Sequence, residues 1–369
     1  MLDKIKKGFF VTLSVYVNSA FGGVQRCTKE YREVIEAAGW SLEILAYEID
    51  RRWQTRIFRK LKPSSFYNRI PQSFIDALIA RVKSEHIPCV FLNQVDALSI
   101  APYLKNAVPD VKIVLLSHGA QFIDDFIAVQ NHSSISPRKR YHLANTILDE
   151  MQLRQHIDHV FTLSEQEVAF ERWLGAKSVS WLPRIISPKP LDWRPIAGRA
   201  GFVGTLDHPP NYEGLLSVLT DLQTRKDFKE TIRIVSSSKQ LGKYLEKRFH
   251  FVKYLGRLDN ENLQNEASTW TWFIHPLFSW SRGCSTKLAD ALEWQIPILT
   301  TEAGCRGYTW QKGNVIRFDA INDYCSYLCG KDSVYDISLV RQKIILASQT
   351  SPSILDVAAL AKLALNEIS

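Results

Sequence analysis

The sequence predicts an α/β protein with two doubly wound parallel sheets, one in each half of the chain. Short apolar segments of strand length alternate with amphipathic segments of helix length in both halves. A stretch with three prolines, SPKPLDWRP at 187–195, separates the halves and suits a linker. The length of 369 residues also favours two domains. We therefore predict an N-terminal domain over 1–187 and a C-terminal domain over 196–350, with the strand order left open.

The first half begins with a predicted strand at 9–17, FFVTLSVYV. Basic residues precede it, but the run is short, is rich in β-branched and aromatic residues and lacks a following small-residue cleavage site. We therefore expect a core strand rather than a signal peptide, and no window is long enough to span a membrane. A turn with Gly22 and Gly23 leads to a helix at 24–38. Two glycines allow a ligand to approach the backbone closely, and they equally suit a tight turn with no ligand.

Residues 51–62, RRWQTRIFRKLK, hold six basic side chains and no acidic one, with Trp53 and Phe58 among them. An amphipathic basic helix of this kind suits a membrane surface, and the alternative is a solvated loop or helix face. The candidate contacts with a membrane or an acceptor are Arg51, Arg52, Arg56 and Arg59.

Further along the first half, a predicted strand at 112–116 ends in Ser117-His118-Gly119. A histidine at the carboxyl end of a core strand is placed to meet a ligand, and the alternative is a side chain satisfied by local hydrogen bonds. Residues 121–136 are predicted to form a mobile loop. Ser164 and Glu167 fit the capping-box pattern at the start of a helix.

The stretch 272–301 predicts a strand, a loop, a helix at 286–294 and a further strand. Its loop falls at the carboxyl end of a predicted parallel strand, where such sheets bind ligands. Lys287 lies in the first helical turn and Asp290 one turn on. Amides at a helix start and an ammonium suit a phosphate, and a carboxylate beyond them suits a ribose. We therefore predict a nucleoside-diphosphate site, to which Ser285 and Thr286 add amides or hydroxyls.

Composition limits the classes of partner. A net charge of +8 favours an anionic partner such as a nucleotide, a lipid surface or an acidic glycan, and is too small to indicate nucleic acid. The six cysteines form no CxxC pair and have no histidines at zinc spacing, which is typical of reduced thiols in a cytosolic protein. The chain has no D-x-D motif, so we expect neither a metal nor another cofactor.

Several segments, in this order along the chain, resemble glycosyltransferase family 4-like enzymes (glycosyl transferases group 1). They are NSAFGGVQR at 18–26, SHG at 117–119, FTLSEQEVAFERWLGAKSVSWLP at 161–183, FVGTLDHPPNYEG at 202–214 and the 272–301 stretch. The resemblance implies a GT-B fold, in which two Rossmann-like domains face each other across a cleft and the last helix, here 354–369, packs back on the first domain. It also implies transfer of a sugar from a nucleotide-sugar donor, usually with retention at the anomeric carbon.

The resemblance also implies roles for individual residues. Gly22 and Gly23 would approach the donor diphosphate, and His118 would contact the donor sugar or help stabilise the transition state. Lys287 would hold the diphosphate, where charge builds on the leaving group. Asp290 matches the second glutamate of the E-x7-E motif, which binds the ribose. The remaining candidate donor-binding residues are Gly204, Thr205, Arg282, Gly283, Ser285 and Thr286.

The chain departs from the family pattern in three places. Arg282 stands where the first glutamate of E-x7-E is expected, and it could bind phosphate or an acidic sugar instead. Asp290 is one methylene shorter than glutamate. The Arg/Lys pair common after the first strand of the second domain is missing, since Thr205 and Asn211 occupy that region. Lys287, with help from Arg282 or Arg184, would then have to carry the phosphate charge.

The expected activity is transfer of a sugar from a UDP-, GDP- or dTDP-sugar to a glycan or lipid-linked acceptor, in the synthesis of a cell-surface polysaccharide or glycoconjugate. The expected location is the cytoplasm, including the inner face of the plasma membrane. An inactive GT-B protein that binds a sugar, a nucleotide or a partner is the alternative, and Arg282 is the residue that favours it. The sequence specifies neither the donor and acceptor nor the oligomeric state.

Overall fold

The structure, a computed structural model, describes residues 6–18, 22–53, 66, 70–130, 135–330 and 336–368. The chain forms two compact units. Unit 1 comprises Met1–Pro183, Ser281–Cys284 and Ser353–Ser369, and unit 2 comprises Arg184–Trp280 and Ser285–Pro352. Residues 281–284, which the sequence assigned to the second domain, are thus grouped with unit 1.

Unit 1 contains a six-stranded parallel sheet with the strand order β2-β1-β3-β4-β5-β6. Its strands are β1 (Lys6–Leu13), β2 (Trp40–Tyr47), β3 (Cys89–Asn93), β4 (Lys112–Leu116), β5 (His159–Thr162) and β6 (Val179–Trp181). The central strands β3, β4 and β5 are almost entirely buried. This explains their continuous apolar runs, because a parallel sheet in an α/β fold is covered on both faces.

The helices of unit 1 connect these strands. They are α1 (Val15–Asn18), α2 (Gly23–Ala37), α3 (Gln72–Ser84), α4 (Ala101–Ala107), α5 (Gln121–Gln130), α6 (Pro137–Arg154), α7 (Glu165–Trp173) and, from the end of the chain, α15 (Ile354–Glu367). A 3-10 turn at Val95–Ile100 precedes α4. Helix α15 packs against α2, and a capping box formed by Ser353 and Asp356 fixes its start.

Unit 2 contains a second six-stranded parallel sheet with the order β12-β11-β10-β7-β8-β9. Its strands are β7 (Arg199–Val203), β8 (Thr231–Val235), β9 (Val252–Gly256), β10 (Trp272–Ile274), β11 (Ile298–Thr300) and β12 (Ile316–Arg317). Its helices are α8 (Pro209–Gln223), α9 (Lys239–Arg248), α10 (Asn260–Ala267), α11 (Lys287–Trp294), α12 (Glu302–Cys305), α13 (Ile321–Leu328) and α14 (Ile337–Gln349). The predicted fold class, α/β with two doubly wound parallel sheets, is confirmed.

Three local predictions were wrong. Residues 15–17, predicted to continue the first strand, form helix α1, because the chain turns at Ser14, whose carbonyl accepts from the amides of Val17 and Asn18. The predicted mobile loop at 121–136 contains helix α5, whose start is capped by a carboxylate from α6, as described below. Ser164 and Glu167 form no capping box, since the Ser164 hydroxyl does not cap α7 and Glu167 is buried.

The segment at 187–195, predicted as a linker, contains no helix or strand but is not detached from unit 2. The Lys189 amide donates to the carbonyl of Glu293 at 2.7 Å, and the Leu191 amide to that of Trp294 at 3.1 Å. Among the described residues, no single helix is long and apolar enough to cross a membrane.

Candidate functional site

The start of helix α11 and the end of strand β7 meet in unit 2. Thr286 occupies the N-cap position, but its hydroxyl does not bond to the first-turn amides, which leaves these donors to other partners. Lys287 extends over Gly204, and its Cε atom lies 2.7 Å from the point that a Cβ at position 204 would occupy. The structure therefore brings Gly204 and the end of the Lys287 side chain together.

Lys287 lies in a partly buried and positively charged setting. Burial lowers the pKa of its ammonium, and Asp290 opposes that shift. Burial also lowers the pKa of His275 well below its usual value, and the charges of Lys287 and Arg306 lower it further. His275 is therefore neutral at physiological pH. The imidazole adds no second positive charge beside Lys287. A partly buried cation at an uncapped helix start suits an anionic ligand.

His275, which follows strand β10, is the centre of a buried network behind this helix start. Its Nδ1 lies 3.0 Å from Thr300 Oγ1, and its Nε2 lies 2.9 Å from Ser285 Oγ. The Tyr308 hydroxyl donates to the carbonyl of Ser285 at 2.6 Å. Ser285, predicted to bind the donor, is thus held by both its side chain and its backbone.

Sequence reasoning missed His275, Arg306 and Tyr308. His275 carried the same signal as His118, a histidine directly after a core strand. Arg306 is buried and donates to the carbonyl of Ala303. No local pattern in the sequence marks Arg306 or Tyr308, because only the fold brings them near residue 285.

Thr205 and the loop after β7 are positioned by neighbouring side chains. The Asn211 amide donates to the carbonyl of Thr205 at 3.0 Å. The amides of Leu206 and Asp207 donate to Ser238 Oγ at 3.1 and 3.2 Å. The side chain of Thr205 remains exposed. The residues that stand in place of the family's Arg/Lys pair therefore shape the loop and add no cation.

In unit 1, His118 follows strand β4 and is nearly buried. The Asn93 amide group donates to the hydroxyls of Thr12 and Thr28, so its Oδ1 atom accepts from His118 Nε2 at 3.0 Å. His118 Nδ1 faces the side-chain amide of Gln94 at 3.4 Å. Both ring nitrogens have partners within unit 1, and the proposed contact of His118 with a donor sugar stays a prediction.

A buried charged network holds the loop that carries His118. Arg154 on α6 forms ion pairs with Glu171 on α7 and, at 3.3 Å, with Glu150 one turn earlier on α6. Glu150 accepts from the amides of Gln121 and Phe122 at the start of α5. The Ser117 hydroxyl donates to Glu171 at 2.9 Å. The residues on either side of His118 and Gly119 are therefore fixed by three buried charged groups.

Residues 281–284 also bond to carboxylates of unit 1. Arg282 Nε lies 2.7 Å from Asp124 Oδ2, and Arg282 Nη1 donates to Gln121 Oε1 at 2.7 Å. The Gly283 amide donates to Glu167 Oε1 at 2.6 Å. Two groups predicted to bind the donor, the guanidinium of Arg282 and the amide of Gly283, are thus engaged by acidic side chains.

Glycine is required where this segment meets the His118 loop. Gly119 and Gly283 have φ values of +105° and +67°, a region that side chains disfavour. A Cβ on Gly283 would lie 2.8 Å from the carbonyl oxygen of His118, and one on Gly119 would overlap Glu167 and Arg282.

The other predicted site residues are dispersed. Gly22 and Gly23 are exposed at the start of α2. Arg52 pairs with the buried carboxylate of Asp50 at 2.7 Å, and Arg51 is exposed. Arg56 and Arg59 lie outside the described residues. The remaining cation, Arg184, is buried in unit 2 and lies 5.9 Å from the centre of the Tyr308 ring.

No protein-family model matches the chain, and neither does any curated protein. Solved structures do. The sucrose-phosphate synthase of Thermosynechococcus elongatus is 14% identical, with a TM-score of 0.68 over 98% of this chain and 99% of that chain. Anabaena HepE in complex with UDP and glucose is 12% identical, with a TM-score of 0.62 over 98% of this chain and 100% of that chain. An O-GlcNAc transferase mutant from Thermobaculum terrenum is 14% identical, with a TM-score of 0.55 over 98% of this chain and 66% of that chain.

At these identities the likeness concerns the fold. Two successive parallel sheets of six strands, each with helices, match these glycosyltransferases along nearly the whole chain. The chain therefore has the GT-B fold, as the sequence predicted.

Proposed function

We propose that the chain is a glycosyltransferase that takes a sugar from a nucleoside-diphosphate donor and binds the donor diphosphate in unit 2, at the start of α11. The observation that carries the proposal is the convergence of three groups there. Lys287 extends over Gly204, the helix start is uncapped, and Asp290 lies one turn further along the helix. An ammonium beside the amides of a helix start suits the diphosphate, and the carboxylate suits ribose hydroxyls.

The fold agrees with this proposal. HepE, which shares the fold, was solved with UDP-glucose as well as with UDP and glucose. A diphosphate leaving group gains one negative charge as its bond to the sugar breaks, and fixed cations and amides stabilise that charge. Lys287 is the side chain placed to do this, while Ser285 and Thr286 border the same helix start.

The experiment is a thermal-shift panel with UDP, GDP, dTDP and ADP. A ligand that binds only the folded state raises the melting temperature, so the preferred base gives the largest rise. Lys287→Ala should reduce affinity for that nucleotide about tenfold or more, because a charge-assisted contact contributes about 1.5–3 kcal/mol. Lys247→Ala, an exposed lysine on α9, serves as the matched control. Equal binding by wild type and Lys287→Ala would place the diphosphate elsewhere.

Turnover is tested separately, because the inactive GT-B protein is a real rival. Arg282, which replaces the expected glutamate and pairs with Asp124, is the observation that favours it. Release of nucleoside diphosphate from the matching nucleotide sugar, with or without a glycan or lipid-linked acceptor, supports catalysis. Binding without any such release supports the rival.

The remaining features of the proposal come from the sequence and its resemblance. They are retention at the anomeric carbon, independence from metals, and a role in cell-surface polysaccharide or glycoconjugate synthesis. Turnover that persists in EDTA, and a product whose anomeric configuration matches that of the donor, are the expected results. A membrane-near acceptor rests on Arg51 and its basic neighbours in the sequence. Equal sedimentation with anionic liposomes by wild type and an Arg51/Arg52/Arg56 neutralised variant would contradict it.

A further inference from the structure

Three polar side chains form a continuous line from strand β11 to the start of α11, and two of them, Thr300 and His275, were not among the predicted donor-binding residues. Thr300 is fully buried at the end of β11, His275 is buried after β10, and Ser285 lies two residues before α11 begins. Each step between them is of hydrogen-bond length, 3.0 Å and then 2.9 Å. The line ends at the site proposed for the donor diphosphate.

The surrounding donors favour one direction for these bonds. The Lys287 amide points at Ser285 Oγ from 3.5 Å, so this oxygen already faces one N–H group. If His275 Nε2–H also donates to it, both lone pairs of the hydroxyl are used, and its own proton must point elsewhere. His275 Nδ1 is then the acceptor, and the Thr300 hydroxyl is its donor.

The immediate surroundings support a neutral imidazole held in one position. The cations Lys287 and Arg306 disfavour a protonated ring, as does burial. Gly304 packs so closely on the Nδ1 side that a Cβ there would lie 2.9 Å from Nδ1 and would overlap the Thr300 hydroxyl. The ring is therefore wedged between its two partners, and Tyr308 fixes the Ser285 backbone independently.

We propose that His275 is a positioning residue of the donor site, which receives a hydrogen bond from Thr300 and donates to Ser285, so that the Ser285 hydroxyl donates its proton to a phosphate oxygen of the nucleotide. The proposal rests on the proposed function, since it assumes a diphosphate at α11. In this proposal the Ser285 hydroxyl is a neutral hydrogen-bond donor beside Lys287. Its orientation is set by His275 and Thr300, which are buried and do not touch the ligand. Chains of hydrogen bonds of this kind polarise one another, which strengthens the last bond to an anion.

The test compares three variants for affinity to the nucleotide that binds wild type best. Ser285→Ala removes the terminal donor and should weaken binding about tenfold, the effect of one hydrogen bond to a charged group. Thr300→Val keeps the shape of the side chain and removes its hydroxyl. It should weaken binding about threefold, a fraction of that hydrogen bond, because the ring can then take its proton on Nδ1 and accept from Ser285. Adding Thr300→Val to Ser285→Ala should cost nothing more, since both act through one proton.

Exchange of His275 itself distinguishes positioning from simple packing. Glutamine can place its amide nitrogen near the position of Nε2 and should retain most of the affinity. Asparagine reaches only the position of Nδ1 and should not. Thr220→Val, which removes a hydroxyl on α8 that bonds to the Leu216 carbonyl, is the control and should leave affinity unchanged. Nitrogen NMR of the imidazole should show Nε2 protonated and Nδ1 unprotonated.

The outcomes separate the two proposals. If no nucleotide stabilises the wild type, the proposed function fails. Suppose that nucleotides bind the wild type and that Lys287→Ala lowers their affinity, whereas Ser285→Ala and Thr300→Val leave the affinity unchanged. Only the role of the network is then overturned. An Nδ1-protonated imidazole in the wild type overturns it as well, and this measurement is independent of activity and of any folding defect in the variants.

Discussion

The two units support their candidate loops with buried polar networks of opposite character. In unit 1, the loop around His118 is held by charges, because Arg154 lies between Glu150 and Glu171 and these carboxylates accept from Ser117 and from the start of α5. In unit 2, Ser285, which lies just before α11, is held by neutral groups, His275 and behind it Thr300. The cations near the second network, Lys287 and Arg306, lower the pKa of its histidine.

The difference has a physical reason. When the cation of a buried network is surrounded by carboxylates of the same network, they neutralise its charge. Little positive potential then remains to attract an anionic ligand. A site for an anion needs positive charge that is not already neutralised, so its supporting groups must orient side chains without adding carboxylates. Burial works against the charge on Arg154, but Glu171 and Glu150 outweigh it and raise its pKa. Unit 1 therefore uses charge to hold a loop in place, whereas the positive charge in unit 2 is available to the ligand that we propose.

Removal of the cation from the charged network should have the largest effect. Arg154→Ala leaves Glu150 and Glu171 buried without their shared partner, which typically costs about 3–5 kcal/mol of folding free energy. Urea denaturation measures the loss. Arg172→Ala, an exposed arginine on α7, is the control and should change stability by less than about 0.5 kcal/mol. A similar small effect for both variants would show that the network does not support unit 1.

A partly buried carboxylate outside both networks provides an intermediate case. Burial alone raises the pKa of Glu230, just before β8, to about 7, and among the described residues its Oε2 atom has no hydrogen-bond partner. A carboxyl whose pKa is higher in the folded state stabilises least when it is ionised. Its contribution is intact below about pH 4.5 and is lost as the pH rises toward 7.

Glu230→Gln should therefore stabilise the protein at pH 8 by about 1–3 kcal/mol and change little at pH 4. Urea denaturation at both pH values measures this, and Glu261→Gln, an exposed residue on α10, controls for a general effect of charge. A gain of the same size at both pH values would mean that ionisation of Glu230 is not its cause.

The sequence predicted these features unevenly. The alternation of apolar strands and amphipathic helices was enough for the fold class and for most elements, because burial on both faces of a parallel sheet leaves continuous apolar runs such as Ile113–Leu116. Helix α5 was missed, since Asp124 and Asp125 in mid-segment suggested a solvated loop. One of these acids pairs with Arg282, which is distant in sequence.

The candidate sites were predictable only where the signal is local. Lys287 and Asp290 lie one helical turn apart, and Gly204 directly follows a strand, so their types and spacing could be read from the chain. The buried Glu167 and Glu171 look like surface residues of a polar helix, because their partners Gly283 and Arg154 come from other segments. His275 could have been found by the rule that selected His118, whereas Arg306 and Tyr308 could not.

Exchange of Arg282 tests whether this residue has a structural role or a role in donor binding. It should give the smallest effect on stability. Its ion pair with Asp124 is partly exposed, with 27% and 35% of the two side chains accessible, so the pair contributes about 0.5–1 kcal/mol at most. Arg282→Glu places like charges together, Asp124→Arg does the same with cations, and the double exchange restores the pair. The cycle is measured by urea denaturation and by nucleotide affinity.

If Arg282 serves mainly to hold residues 281–284 on unit 1, the double exchange should recover both stability and nucleotide affinity. If the guanidinium binds a donor phosphate, as the sequence alone suggested, affinity should stay low in the double variant although stability returns. Arg140→Glu, which reverses an exposed cation on α6, controls for the change in net charge. The second result would mean that the guanidinium of Arg282 acts on nucleotide binding and not only on Asp124. The contrast between the two networks would then be limited to the residues around His118 and those around His275.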